Sequence, residues 1–587
     1  MGELINKMKQ KAACVYSIII ACGKRIAVIF AKFENWLWGL EDRLPRLKNI
    51  CLQVFSFLRK ISDGITSAVD CLIEKIKSAF LTLKGKIKQP QRLDVCREKF
   101  NDIRVKSDAH LPKNKMLLVL AVVEVLIAVW GIAMQADILF VCVILLWTAI
   151  VIFAFAKMEQ RAMLLMLSLA FFVFLIGRDF LQQFLHYQLE DFSADVRNHT
   201  YISVFLALLG LFGGYWIIKR KTPDNVYVEK ENSSSVLQCS KFVLFIVLVP
   251  AVIYRLILTV YVQQHGYAAY YTDFAVLLNN NIFLYILSKV EQMAPACMCI
   301  YIAAMPKKKD FFKVAAFYLV YLVLTLGAGT RSPFLLGIFL FLFYFLYRAG
   351  LAPKEGWFRR QYILPCVVVM GVLACVLYFA GLIRDGVNST GNSLLDGILG
   401  FVYSQGVSVN VIKRGYMFQD MIPEGYLYSM DFTRYGLIAR ILGITVYSGN
   451  TVEQALYGGS FAHALSYIFL GDAYLAGRGT GTSYVAELYH DFGYIGIVIG
   501  SVIYGWLCTG IESYKEGKVF RRSCLFIIIT QLLWAPRGGF TKIITTLLSP
   551  SALLALLAVF AMAWLLERRK QWRTLNAGKE TDGNEEQ

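Results

Sequence analysis

Residues 137–156 read DILFVCVILLWTAIVIFAFA, one aspartate followed by a run with no further charge. At a helical rise of about 1.5 Å per residue, some twenty residues reach about 30 Å, the thickness of a bilayer's hydrocarbon core. Neither turn residues nor a polar stripe interrupt the run, so it suits lipid better than a water-facing fold. Similar runs lie on both sides of it, near 116–134, 162–177, 201–218, 242–262, 281–304, 311–327, 334–347, 362–383, 491–510, 523–536 and 550–566. The pattern predicts an all-α, polytopic integral membrane protein with about twelve transmembrane helices.

The charges between the runs give an orientation. With the N-terminus inside, the inner loops carry Lys157 and Arg161, Lys219–Lys221, Lys307–Lys309, Arg359 and Arg360, Arg521 and Arg522, and Arg568–Lys570. All are basic, as the positive-inside rule requires, so both termini are expected in the cytoplasm. The expected organisation is a basic extension over 1–113, a first membrane bundle over 114–383 and a large outward loop over 384–490. C-terminal membrane helices over 491–566 and a cytoplasmic tail over 567–587 complete it. The outward loop is too apolar to be an idle linker, because 394–403, 435–446 and 461–475 each need cover. Short amphipathic or re-entrant helices over the mouth of the bundle would supply it.

Composition agrees with this reading. The 587 residues are 57% hydrophobic and only 17% charged, with a mean hydropathy of +0.54. That excludes a soluble enzyme, a disordered chain and a small disulfide-stapled module. The net charge of +19 would suggest nucleic acid in a soluble protein. Here the charges sort by membrane side, and no nucleic-acid partner is expected. Residues 1–113 hold 22 lysines and arginines against 11 acids, a net +11 of that total. Val15–Ile29 is broken by Lys24 and Arg25, so it neither spans nor forms a signal peptide's apolar region. Apolar residues recur instead at helical spacing: Ile50, Leu52, Phe55, Leu58, Ile61, then Val69, Leu72, Ile76, Phe80, Leu83. Basic amphipathic helices on the anionic inner leaflet, with Trp36 and Trp38 at headgroup level, are expected; a docking arm for a cytoplasmic partner is the competing reading. None of the thirteen cysteines falls in an outward loop, and no CxxC pair suggests zinc.

Outward cations are nearly all arginine. Arg178, Arg197, Arg331, Arg384, Arg414, Arg434, Arg440, Arg478 and Arg537 stand against only Lys413 and Lys542. A guanidinium grips phosphate or carboxylate oxygens with two parallel donors, which an ammonium cannot do. Pairing with Asp179, Glu190, Asp385 or Glu424 would satisfy individual arginines; for the set, an anionic ligand at the outer leaflet is the better account. Three outward segments look like a site. GAGTRSP (327–333) joins two spans and projects Arg331. GRGTGTS (477–483) leads into YVAELYHDFG (484–493), where glycines let backbone N–H groups approach an oxyanion at the head of a helix. The Lys-Ser/Thr ending of a Walker A loop is absent. WAPRG (534–538) places Arg537 outside as well. Glu487, His490 and Asp491 fall at i, i+3 and i+4, on one helical face. A carboxylate beside an imidazole is a general-base arrangement, and also how a helix ordinarily satisfies a polar edge. Within the bilayer, Arg255 lies about 10 Å below the outer end of its span, near the depth of Lys289 and Glu291. It is either a ligand contact or the partner of Glu291. Glu124, mid-span in the first helix, suggests a proton relay equally well.

The glycine–Arg331–Ser–Pro turn, the long outward loop and GRGTGTSYVAELYHDFGYIGI running into a span resemble the O-antigen polysaccharide polymerases, the Wzy-type repeat-unit polymerases of bacterial envelopes. The resemblance covers roughly residues 115–566, most specifically 324–337 and 477–500; the basic arm lies outside it. It implies a multi-pass enzyme of the bacterial plasma membrane that acts on oligosaccharide repeat units carried on undecaprenyl pyrophosphate at the outer face. The growing chain passes from its lipid carrier to the non-reducing end of a new unit, to make O-antigen, capsular or exopolysaccharide. A flippase and a chain-length regulator are the implied protein partners. The family's outward arginines correspond to Arg331, Arg478 and Arg537; Arg255, Arg434 and Arg440 are further candidates for substrate binding. Arg331 and Arg478 are expected at the pyrophosphate, and Glu487, His490 or Asp491 at the acceptor hydroxyl, with Asp472 a further candidate base. No cofactor and no metal ligands are expected. A glycan ligase using the same carrier is the nearest rival. A lipid-linked glycan flippase is a second, disfavoured by the lack of an internal repeat and by the asymmetric outward loop.

Overall fold

The computed structural model describes residues 113–187, 189–219, 234–266, 273–327, 329–384, 394–515 and 517–585. The basic arm and its expected amphipathic helices lie outside the described residues. Residues 111–587 form one compact unit, and its described residues contain helices and no strands. That is what lipid demands of a chain that must satisfy its backbone polar groups internally.

In chain order the helices are α1 (Lys113–Ala133), α2 (Ile138–Ala156), α3 (Ala162–Leu185), α4 (Ala194–Lys219), α5 (Ser234–His265), α6 (Asp273–Asn280), α7 (Ile282–Glu291) and α8 (Ala294–Ala303). Next come α9 (Lys308–Gly327), α10 (Ser332–Leu351), α11 (Ile363–Arg384), α12 (Leu394–Gln405), α13 (Val409–Met417), α14 (Gly436–Ile441), α15 (Val452–Tyr457), α16 (Phe461–Leu470) and α17 (Asp472–Leu475). The chain ends with α18 (Tyr484–Glu512), α19 (Val519–Ile527), α20 (Ile529–Trp534), α21 (Lys542–Leu547) and α22 (Pro550–Glu585). Among the described residues, eleven helical stretches are long and apolar enough to cross a membrane. Two expectations shift. The apolar run 281–304 is not one helix: it breaks at Gln292–Met293, and Pro295 sits in the first turn of α8, where a missing N–H costs nothing. Conversely 395–417, within the stretch expected outside, is long and apolar enough to be a candidate span, bent at a 3-10 turn over Gly406–Ser408.

α3 forms the centre of the bundle, with 78% of its apolar window buried, whereas only 11% of that of α11 is. Lipid-facing positions such as Ile138, Leu364 and Ile495 stay exposed. α4 and α18 pack backbone against backbone. A Cβ on Gly214 would lie 2.3 Å from the Val502 carbonyl oxygen, and one on Gly505 would lie 2.2 Å from that of Leu211. Only glycine permits this close seam between apolar helices, where van der Waals contact replaces the hydrophobic effect. At the other end of α18 the Glu512 carboxylate accepts from the Met163 and Leu164 N–H groups at 3.0 and 3.3 Å and from the Tyr215 hydroxyl at 2.6 Å. It thereby caps the start of α3 and ties three helices together. The described cysteines are free thiols.

Candidate functional site

α18 starts after an extended Ser483, runs to Phe492 and then reverses its local direction at Gly493 (φ 62°, ψ −156°) before continuing as the long packed helix. That backbone conformation is open to glycine and closed to other L residues. The short segment before it carries Glu487, His490 and Asp491 on one face, as their spacing predicts, but the structure gives them separate tasks. Glu487 is buried; its carboxylate accepts from the Thr482 hydroxyl at 2.8 Å and from the Phe540 N–H at 2.8 Å. Asp491 accepts from the Tyr428 N–H (3.1 Å), the Ser429 N–H (2.7 Å) and the Ser429 hydroxyl (2.6 Å). Its carboxylate is fully buried and reaches His490 Nδ1 at 3.3 Å. His490 keeps some exposure, with its ring edge-on to Tyr428 and Phe461. Asp491 therefore fixes the ring, and Nε2 is the nitrogen left to exchange a proton.

His490 lines a cavity of about 320 Å³ between α13 and α18, together with Tyr416, Gln419, Asp420, Tyr489 and His199 of α4. The His199 ring stacks on Tyr416 at 4.1 Å, and its Nδ1 lies 3.0 Å from the Tyr494 hydroxyl. A further carboxylate, Asp431, accepts from the Thr541 hydroxyl at 2.9 Å. Burial pushes the Asp431 carboxyl above the usual range, opposed by that hydrogen bond and by Lys542. The loop Gly538–Thr541 thus grips both acids, Glu487 through the Phe540 amide and Asp431 through Thr541. Among the described residues no three His, Cys, Asp or Glu side chains converge as a metal-ligand set.

Arg537 immediately precedes this loop, at the end of a 3-10 turn over Ala535–Arg537. Its Nη1 donates to the Gln405 carbonyl and side-chain oxygens, both at 3.3 Å, and its guanidinium lies beside Trp534. Arg331, at the head of α10, donates to the Leu377 carbonyl at 2.9 Å and acts electrostatically on Arg537. Arg178 adjoins the same end of α12, donating to the Tyr403 carbonyl at 3.3 Å with its guanidinium over the Tyr403 ring. Arg331 thus reaches α11 and Arg537 the end of the neighbouring α12, while the other proposed arginines lie elsewhere. Arg478 is exposed on its glycine loop, its carbonyl accepting from Asn450 at 2.9 Å. Arg255 is paired with Glu291 at 2.6 Å, and the Tyr321 hydroxyl completes that trio at 2.5 Å. Arg434 covers the Tyr426 ring, and Arg440 is exposed.

Reading the sequence missed Asp431, Thr541, His199, Tyr416 and Asp420. A signal existed for Tyr416 alone: Ile412, Gly415, Tyr416 and Gln419 recur at helical spacing. Comparison with curated proteins gives no match, and comparison with solved structures gives none. The model of the family O-antigen polysaccharide polymerase Wzy matches residues 116–570, which contain every helix that builds this site, and the chain belongs to that family.

Proposed function

We propose that this chain joins lipid-linked oligosaccharide repeat units at the outer face of the membrane, releasing an undecaprenyl pyrophosphate carrier at each step. As a member of the Wzy family, it is a multi-pass protein of the bacterial inner membrane and a polymerase of O-antigen polysaccharide. The observation that carries the finer reading is one short loop. Arg537 stands three residues from the amide that binds Glu487, so an arginine cluster and a histidine-lined cavity share a support. His490 Nε2 takes the proton of the acceptor hydroxyl. The freed oxygen attacks the anomeric carbon of the growing chain. The bond from that carbon to the pyrophosphate oxygen breaks, and the electron pair stays on the pyrophosphate. Arg331 and Arg537 meet this developing charge with donors already in place, which is worth more than the same contact in water. Asp491 holds the imidazole that carries the proton away.

The arginines supply the positive charge that a divalent ion would otherwise bring, so the reaction is proposed to be metal-independent. Full activity of purified protein in EDTA is expected, and a loss restored by magnesium would overturn it. A flippase delivers the lipid-linked unit, and a separate regulator sets the chain length. The main test is the double variant Arg331→Ala, Arg537→Ala in a strain lacking the native gene. Single repeat units with normal membrane abundance are expected; polymer of normal length rejects the assignment.

A further inference from the structure

The cavity beside His490 has two helical walls with one pattern. Ile412, Gly415, Tyr416 and Gln419 follow i, i+3, i+4, i+7 along α13 and the turn after it, and Ala486, Tyr489, His490 and Gly493 repeat the spacing on α18. Each wall presents a tyrosine and at least one further polar side chain. The two cations nearest in sequence are turned away. Lys413 is buried 2.6 Å from Asp179, and Arg414 pairs with Glu190 at 2.6 Å while its guanidinium lies on Phe469. Among the described residues no lysine or arginine lines the cavity, and the one carboxylate that does is Asp420. Asp420 is exposed at the rim and has no ion pair among the described residues. The Asp491 carboxylate sits directly behind His490.

This lining is hostile to the pyrophosphate that the arginines suit, because carboxylates disfavour a second anion nearby. It suits a sugar. A carboxylate only accepts and offers about four lone-pair sites, a match for a sugar ring's hydroxyl donors. Tyrosine and histidine rings supply flat apolar faces with polar edges. A cavity of about 320 Å³ stands at the low end of the roughly 300–1,000 Å³ range of small-ligand sites, enough for a terminal sugar and too small for a whole repeat unit. Resting on the polymerase reading, we infer that this cavity is the acceptor subsite. It holds an uncharged non-reducing terminal sugar, with Asp420 accepting from its hydroxyls, and it rejects a terminal sugar bearing a carboxylate.

The test uses the full-length protein in nanodiscs. The probes are the oligosaccharide repeat unit freed from its carrier by mild acid, and the same unit with its primary hydroxyls oxidised to carboxylates. Wild-type protein should bind the neutral unit at least about tenfold more tightly, the weight of one hydrogen bond to a charged group. Asp420→Asn should weaken neutral binding and shrink that preference, and Tyr416→Ala should weaken both probes. Wild-type affinities in both variants, or a wild-type preference for the oxidised unit, would overturn the inference. The double variant Arg331→Ala, Arg537→Ala should bind the neutral unit normally while making no polymer. If it polymerises while Asp420→Asn loses binding, the donor-site assignment falls and the acceptor subsite stands. If it loses neutral binding as well, the two sites are one and the inference fails.

Discussion

The end of α12 and the cavity between α13 and α18 are joined by one short loop and are built on opposite rules. Around the end of α12, Arg178 and Arg537 rest on the carbonyls of Tyr403 and Gln405, and Arg331 reaches that of Leu377 on α11. A carbonyl is a neutral acceptor, and a phosphate oxygen makes a shorter and stronger bond to the same guanidinium. Around the cavity the charges other than Asp420 are closed off. Asp491 is saturated by three donors and a histidine, and Lys413 and Arg414 each have their own acid. Arg255 follows that second rule, locked to Glu291 and Tyr321. An arginine that the charge pattern places outside is thus not marked as a substrate contact by that alone; what distinguishes Arg537 is that its hydrogen-bond partners are neutral oxygens.

The contrast can be broken in several ways. The largest effect belongs to His490→Ala, which removes the proposed base and should slow polymerisation by about 10²–10⁴-fold in purified protein. An undiminished rate would leave the cavity with binding alone. Next comes Arg255→Ala, which strands the buried Glu291 carboxylate and should cost about 3–5 kcal/mol of stability, read as a lowered Tm in detergent. Activity per folded molecule should stay normal, and pairing Arg255→Met with Glu291→Leu should restore the Tm. A stable but inactive Arg255→Ala would move Arg255 into the company of Arg331. The smallest effect is that of Asp431→Asn. A carboxyl held above its usual range by burial stabilises the fold when protonated and loses that contribution as pH rises through its folded-state value. The Tm advantage of Asp431→Asn over wild type should therefore widen between pH 4.5 and pH 8; a narrowing difference would contradict the buried-acid assignment.

Much of the membrane architecture was legible because bilayer thickness is a fixed ruler: runs such as 137–156 match it without help from distant residues. The break in 281–304 was not read, although Lys289, Glu291 and Gln292 interrupt the apolar run there and Pro295 follows, because the run's length alone fits one span. The Arg255–Glu291 pair could be weighed from matching depth alone. The tasks of Glu487, His490 and Asp491 could not, although their shared face could. Their roles depend on donors 53 and 62 residues away, the Phe540 amide for Glu487 and the Ser429 amide for Asp491. Asp431 left no mark at all, because its meaning comes from Thr541, 110 residues later.

The glycine seam between α4 and α18 has a mechanical consequence for the cavity. Where backbones touch there are no side chains to repack, so the two helices move as one body. His199 stands on this body, and His490 on the segment before the Gly493 reversal, which folds back so that the Tyr484 hydroxyl meets that of Ser501 at 3.0 Å. Facing them, α13 buries Val409, Val411 and Ile412 in the bundle and is tied further by the ion pairs of Lys413 and Arg414. A glycan that enters the cavity thus meets His199 from a glycine-sealed helix pair and His490 from a segment set by a single glycine reversal.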